Sequence, residues 1–208
     1  MLTETTGRTA QDLSAELEGL QAVDWASVWP GPPQGGSPEF RAWCERYGWE
    51  PQTFDRQLVV RTPTGGRLTF QSGGYWNPVE SVSHYGWQVK AGAADENAAV
   101  LALAAETWPE YAAAAAGVLG APAWAGSWDA EDFPEPPAPS YWPDREFRLT
   151  SRRPYRFAYW RGAGGGAAAP YVLLGQSIAF PTWAADMPGA SAISLEVHPP
   201  VEVLRALR

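Results

Sequence analysis

"RQLVVRTPTGGRLTFQS", residues 56–72, is the stretch from which the fold is read. Two short β-rich runs flank Pro63-Thr64-Gly65-Gly66, where a residue with fixed φ precedes two glycines that tolerate positive φ, the chemistry of a tight reversal. In the second run Leu68 and Phe70 alternate with Arg67, Thr69 and Gln71, so one face of the strand is apolar and the other wet. The pattern predicts an antiparallel hairpin lying with one face on a core. "SVSHYGWQVKA", residues 81–91, supplies a third strand.

Upstream of the hairpin, Leu13, Leu17 and Leu20 recur at helical spacing and predict a helix over residues 10–21. "VWPGPPQGGSP", residues 28–38, breaks regular structure and ends in a helix start: Ser37 as cap, Pro38 at the first helical position, Glu39 at the positive dipole end and Gly48 as the stop. Phe40, Trp43, Cys44 and Tyr47 share one face of that helix. Downstream, residues 95–120 are helical by composition. Pro109 is expected to divide or kink them, with Thr107 and Glu110 forming a capping box for the second piece and Gly120 ending it. "REFRLTS", "YRFAYWRG", "PYVLLGQS" and "SAISLEVH" then read as strands, the second and third joined by the glycine-alanine loop at 162–169. Helix followed by strands occurs twice. The expectation is a single α+β domain spanning 1–208, built as two helix-plus-antiparallel-strand halves, 1–92 and 93–208, packed as one unit.

A chain of 208 residues can bury roughly 70% of its unfolded surface, so no disulfide or metal is needed to hold it. Hydrophobic content of 45% and charged content of 18% belong to a folded chain. The net charge of −8 argues against nucleic acid or anionic lipid as the main partner, because that attraction comes from clustered Lys and Arg. The N-terminal residues lack the basic start and apolar run of a signal peptide, and no apolar run is long enough to span a membrane, so the expected location is the cytoplasm.

Catalytic chemistry finds little foothold. Cys44 with His84 or His198 is the one thiol and base combination, yet Cys44 lies on the apolar stripe of its helix, where a thiol behaves as a small hydrophobe. Two histidines 114 positions apart and one cysteine make no zinc set. "DAEDFPEPPAPS" has Pro134 where a calcium loop needs glycine and Ser140 where it needs glutamate. The glycines at 162–166 lack the residues that wrap a phosphate, and no nucleophile elbow or dinucleotide fingerprint occurs. No catalytic residue, metal or cofactor is expected. Twelve tryptophans remain. Trp25, Trp29, Trp76, Trp128, Trp142 and Trp183 sit in irregular Gly/Pro-flanked positions, where an indole either plugs the gap under a loop or anchors a partner.

The functional reading centres on "SWDAEDFPEPPAPSYWPD", residues 127–144, with five acids, five prolines and no basic residue. From Ala91 to Asp144 there are nine acids and no Lys or Arg, whereas Arg145, Arg148, Arg152, Arg153, Arg156 and Arg161 follow at once. Prolines lower the entropy lost on ordering, charge steers a partner and aromatics anchor it. The expected contact set is Trp128, Asp129, Glu131, Asp132, Phe133, Glu135, Tyr141, Trp142 and Asp144. The alternative is a small carbohydrate-directed enzyme or sugar-binding module, with Glu131, Asp132 and Glu135 beside stacking faces of Trp124, Trp128 and Trp142.

"WPEYAAAAAGVLGAPAWAGSW", then "PEPPAPSYWPDREFRLTSRRPYRFAYWR" and "YVLLGQS", with "FRAWCERYGW" before the hairpin, resemble uncharacterised actinobacterial immunity-like proteins associated with polymorphic toxins. The likeness runs over residues 37–177 and is carried by structural motifs. It implies a cytoplasmic, non-enzymatic binder of a cognate toxin, and an acidic face suits a toxin domain that is basic.

Overall fold

The computed structural model describes residues 3–4, 7–53, 57–74, 76–162, 169–179 and 186–207. It is an α+β fold with an antiparallel sheet. The strands are β1 (Thr3–Glu4), β2 (Glu50–Thr53), β3 (Leu58–Arg61), β4 (Arg67–Ser72), β5 (Val79–Lys90), β6 (Trp124–Ser127), β7 (Arg156–Arg161), β8 (Tyr171–Ala179) and β9 (Ala190–His198). The helices are α1 (Ala10–Gln21), α2 (Trp25–Val28), α3 (Pro38–Arg46), α4 (Asn97–Leu119), α5 (Arg145–Ser151) and α6 (Val201–Ala206). Hydrogen-bonded order runs β2-β3-β4-β5-β9-β8-β7-β6, with β1 beside β5. Two compact units emerge: Met1–Ser14, Tyr85–Trp160 and Leu173–Leu195 form the first, and Ala15–His84, Arg161–Val172 and Glu196–Arg208 the second. These units interleave along the chain, whereas the expected halves met at one boundary.

In the second unit the hairpin stands as read. β3 and β4 pair antiparallel with Leu58 opposite Phe70 and Val60 opposite Leu68, all four buried. Gly65 takes φ 80°, the conformation that only glycine adopts without strain. Beneath the turn, the buried carboxylate of Glu16 on α1 accepts hydrogen bonds from Thr62 Oγ1 at 2.9 Å and from Thr64 Oγ1. A Cβ on Gly66 would overlap that carboxylate, which explains the second glycine of the turn. Ser37 caps α3 by accepting from the Phe40 amide at 3.0 Å, and Gly48 follows at φ 64°. Trp25, Trp29 and Trp76 plug the irregular connections: Trp25 stacks on Trp29 at 4.7 Å between centroids, and Trp76 leans on Phe40 at 5.6 Å.

In the first unit, α4 corrects one expectation. It runs unbroken through Pro109, and Thr107 donates to the Leu103 carbonyl at 2.7 Å instead of capping a new helix. The reason lies in the stripe Val100, Ala104, Trp108, Tyr111 and Ala115, which is buried on both sides of the proline. Pro109 and Ala105 lie on the exposed side, where solvent satisfies the carbonyl that a prolyl nitrogen cannot. Gly120 ends the helix at φ 81°. A second correction concerns residues 145–151. They form α5, not a strand, because Asp144 Oδ1 accepts the Phe147 amide at 2.8 Å and starts a helix that Arg152 closes in the left-handed region at φ 54°. The other predicted strands appear as β7, β8 and β9. Trp183 and most of the glycine-alanine loop lie outside the described residues.

Glu16, Thr62, Thr64 and Gly66 form one clasp, so Gly66→Ala and Glu16→Ala are each expected to lower stability by about 1–3 kcal/mol, with the double variant well short of the sum. Urea denaturation of the three variants measures this; additive losses would contradict a shared clasp.

Candidate protein-binding surface

The acidic stretch begins at the end of β6, whose register on β7 places Trp124 opposite Tyr159, Gly126 opposite Phe157 and Ser127 opposite Arg156. The Trp124 indole lies across Gly126, where a Cβ would come within 2.6 Å of its ring. Trp124 then meets Phe133 edge-on at 4.7 Å, Phe133 stacks on Phe157 at 5.5 Å, and Trp142 packs on Phe157 and Tyr159 at 5.2 and 5.1 Å. The Trp142 indole donates to the Pro134 carbonyl at 2.9 Å, folding the proline run back over the rings. Phe133, Tyr141 and Trp142 are 7%, 3% and 4% exposed, and so are core residues.

This corrects the sequence-based contact set. Three of its four aromatics are spent on the chain's own interior, because a loop with so many prolines lacks ladder hydrogen bonds and coheres through its rings instead. Trp128 is half-buried under the Arg152 guanidinium, 5.4 Å from its centroid. The sugar-stacking alternative loses the Trp142 face on which it leaned. The acids behave oppositely: Asp129, Glu131, Asp132, Glu135 and Asp144 are all exposed. Asp129 accepts from Ser127 Oγ at 2.6 Å, Asp132 from the Trp124 indole at 3.2 Å, and Asp144 caps α5. Among the described residues none of the five lies within ion-pair distance of an arginine. The Ser127 hydroxyl, the Asp129 backbone amide and, more weakly, the fields of Arg148 and Arg156 hold the Asp129 carboxyl below the ordinary carboxylate value, so it stays charged across the neutral range.

Sequence reasoning missed what holds this surface up. As a helix, residues 145–151 turn Arg148 inward and Phe147 outward; Arg148 is 3% exposed and Phe147 57%. The Arg148 guanidinium lies 4.1 Å from the Phe133 centroid and donates to the Trp128 carbonyl. Burial, with Arg145 nearby, lowers its pKa, while Glu135 and Asp129 act to keep it charged. The signal available was the dipeptide Pro143-Asp144 followed by Glu146, a helix start overruled by alternation across seven residues.

Cys44 is 2% exposed and burial pushes its thiol up to about 11, so it is a core side chain and no nucleophile. Among the described residues no three His, Cys, Asp or Glu side chains gather as a metal would require. No helix of the described residues is long and apolar enough to cross a membrane.

Arg148→Ala is expected to cost about 3 kcal/mol through lost packing, the carbonyl bond and the ring contact, and Arg148→Lys to recover little, since an ammonium lacks the flat fork. Urea midpoints and near-ultraviolet circular dichroism check it; a loss under about 0.5 kcal/mol, typical of surface sites, would contradict the assignment. Comparison of the chain with family models, with curated proteins and with solved structures finds no match.

Proposed function

We propose that the chain is a non-enzymatic, cytoplasmic protein-binding protein, an immunity factor that neutralises a cognate toxin through its acidic face. The observation that carries this reading is the set of five outward carboxylates, Asp129, Glu131, Asp132, Glu135 and Asp144, standing on a packed aromatic floor with no arginine pairing them among the described residues. Exposed carboxylate charge accelerates encounter with a basic partner and disfavours acidic ones. The exposed ring of Phe147, one turn from the Asp144 cap, takes the anchoring role that the buried aromatics cannot. The chain's net charge of −8 makes a basic toxin domain a better fit than nucleic acid. The sequence likeness to immunity-like proteins points the same way.

The test is genetic and kinetic. The adjoining reading frame is expected to encode a large multidomain toxin with a basic C-terminal domain, and cells expressing that domain to survive only with this chain. Reversing Asp129, Glu131 and Asp132 to lysine is expected to slow association at low salt by about tenfold or more, by loss of steering, and to abolish protection without unfolding the protein, at a lower thermal midpoint because Asp129 no longer supports the buried Arg148 and Asp132 no longer accepts from Trp124. Unchanged association would remove the acidic face from the interface, and a neighbourhood of metabolic enzymes would count against immunity.

A further inference from the structure

Two strands of the β2-to-β6 order have a neighbour on one side only, β2 in the second unit and β6 in the first, and they differ. β2 is blunted: Pro51 offers no amide, the register slips between Pro51 and Thr53, and Glu50 pairs with Arg61 across to β3. Proline, irregularity and charge are the ordinary means of keeping an edge from recruiting a foreign strand. β6 reads Trp-Ala-Gly-Ser, with no proline and no charged residue; its register on β7 holds from Trp124 to Ser127, and the irregularity lies before it, where the Ala123 amide reaches the carbonyl of Tyr159, the partner of Trp124.

The free groups on that edge follow from the ladder. Trp128, just beyond β6, donates to the Tyr155 carbonyl at 3.2 Å, which continues the register of Ser127 opposite Arg156. In an antiparallel pair, residues that exchange hydrogen bonds alternate with residues that turn both groups away. Trp128, Gly126 and Trp124 therefore face β7, and Ala125 and Ser127 face outward. The Ser127 carbonyl is taken by the Ala130 amide at 3.2 Å. That leaves the Ala125 amide, the Ala125 carbonyl and the Ser127 amide along an edge where Ala125 is exposed. No described strand covers it.

What comes next in the chain specifies the occupant. Asp129, Glu131 and Asp132, all exposed, follow the edge within five residues of Ser127. With a net charge of −8, a second copy of the chain is repelled, and an extended segment bearing Lys or Arg is attracted. We propose that β6 accepts an extended, basic segment of a partner protein as an added strand, bonded through Ala125 and Ser127 and held in place by Asp129, Glu131 and Asp132. Main-chain bonds supply the docking and the carboxylates supply the selection. This inference rests on the acidic face being a protein-binding surface, and adds the mode of binding and the chemistry of the bound segment.

The test is a titration of the 15N-labelled full chain at low salt with a capped octapeptide of alternating valine and lysine, against a valine-glutamate octapeptide as control. The lysine peptide is expected to shift the Ala125 and Ser127 amides and slow their hydrogen exchange, while the glutamate peptide leaves them unmoved. Ala125→Pro removes an outward amide that β7 does not use, and is expected to weaken binding about tenfold. Should that variant misfold, N-methylation of alternate peptide amides, in both registers, asks the same of the unmodified protein and is expected to weaken one register likewise. Shifts at Glu131 and Asp132 without any at Ala125 and Ser127 would overturn strand addition and leave the acidic-face reading standing. No response anywhere in residues 124–144 would overturn both.

Discussion

The Arg148 guanidinium sits 4.1 Å from the centroid of the Phe133 ring, with a nitrogen on the Trp128 carbonyl, and the acidic face is organised around that contact. Taking a permanent cation out of water is costly unless acceptors and a polarisable surface replace the lost hydration. Here the carbonyl, the ring and the fields of Glu135 and Asp129 offset part of that cost, while burial still lowers the Arg148 pKa and its Nε stays buried without a partner among the described residues. One consequence is local rigidity: the start of the acidic stretch, its middle and helix α5 are tied to a single group. Another is that Arg148 is committed to the aromatic floor while the acids of the stretch face water.

The same economy of aromatic side chains runs through each unit. In the second, Trp43 touches Trp49 at 5.2 Å and Phe70 at 6.0 Å, and Trp25 and Trp29 stack beneath a proline-glycine connection. In the first, Trp124, Phe133, Phe157, Tyr159 and Trp142 form a continuous set of rings under the acidic loop. A chain with 20 prolines and 21 glycines gives up many ladder hydrogen bonds in its connections. Wide rings restore cohesion there through contact area, which requires no particular backbone geometry.

Legibility in the sequence followed the physics of each signal. The Leu13, Leu17 and Leu20 stripe, the Ser37 cap and the Pro63–Gly66 turn are local, and helices α1 and α3 and the β3–β4 hairpin stand where they pointed. Pro109 misled as a dividing point because the forces that keep α4 continuous lie in its buried stripe, not in neighbouring residues. Residues 145–151 misled because seven positions carry too few periods to separate alternation from a helix, and the Asp144 cap decided it. Within the acidic stretch, the exposure of the carboxylates could be read from composition. The burial of Phe133, Tyr141 and Trp142 could not, since nothing local distinguishes a ring that anchors a partner from one that fills its own floor. Arg148 followed from the same misreading: a strand would have turned it away from the side that a helix turns inward.

If the acidic face is a rigid shelf and not a loose acidic tail, native-state hydrogen exchange reports it most directly. The amides of Trp128, Phe133 and Tyr141 donate to the carbonyls of Tyr155, Ala130 and Ala138, and are expected to exchange together, slowed by about a hundredfold or more relative to an unstructured chain. Exchange of those three amides at the unstructured rate, while β7 remains protected, would contradict the account.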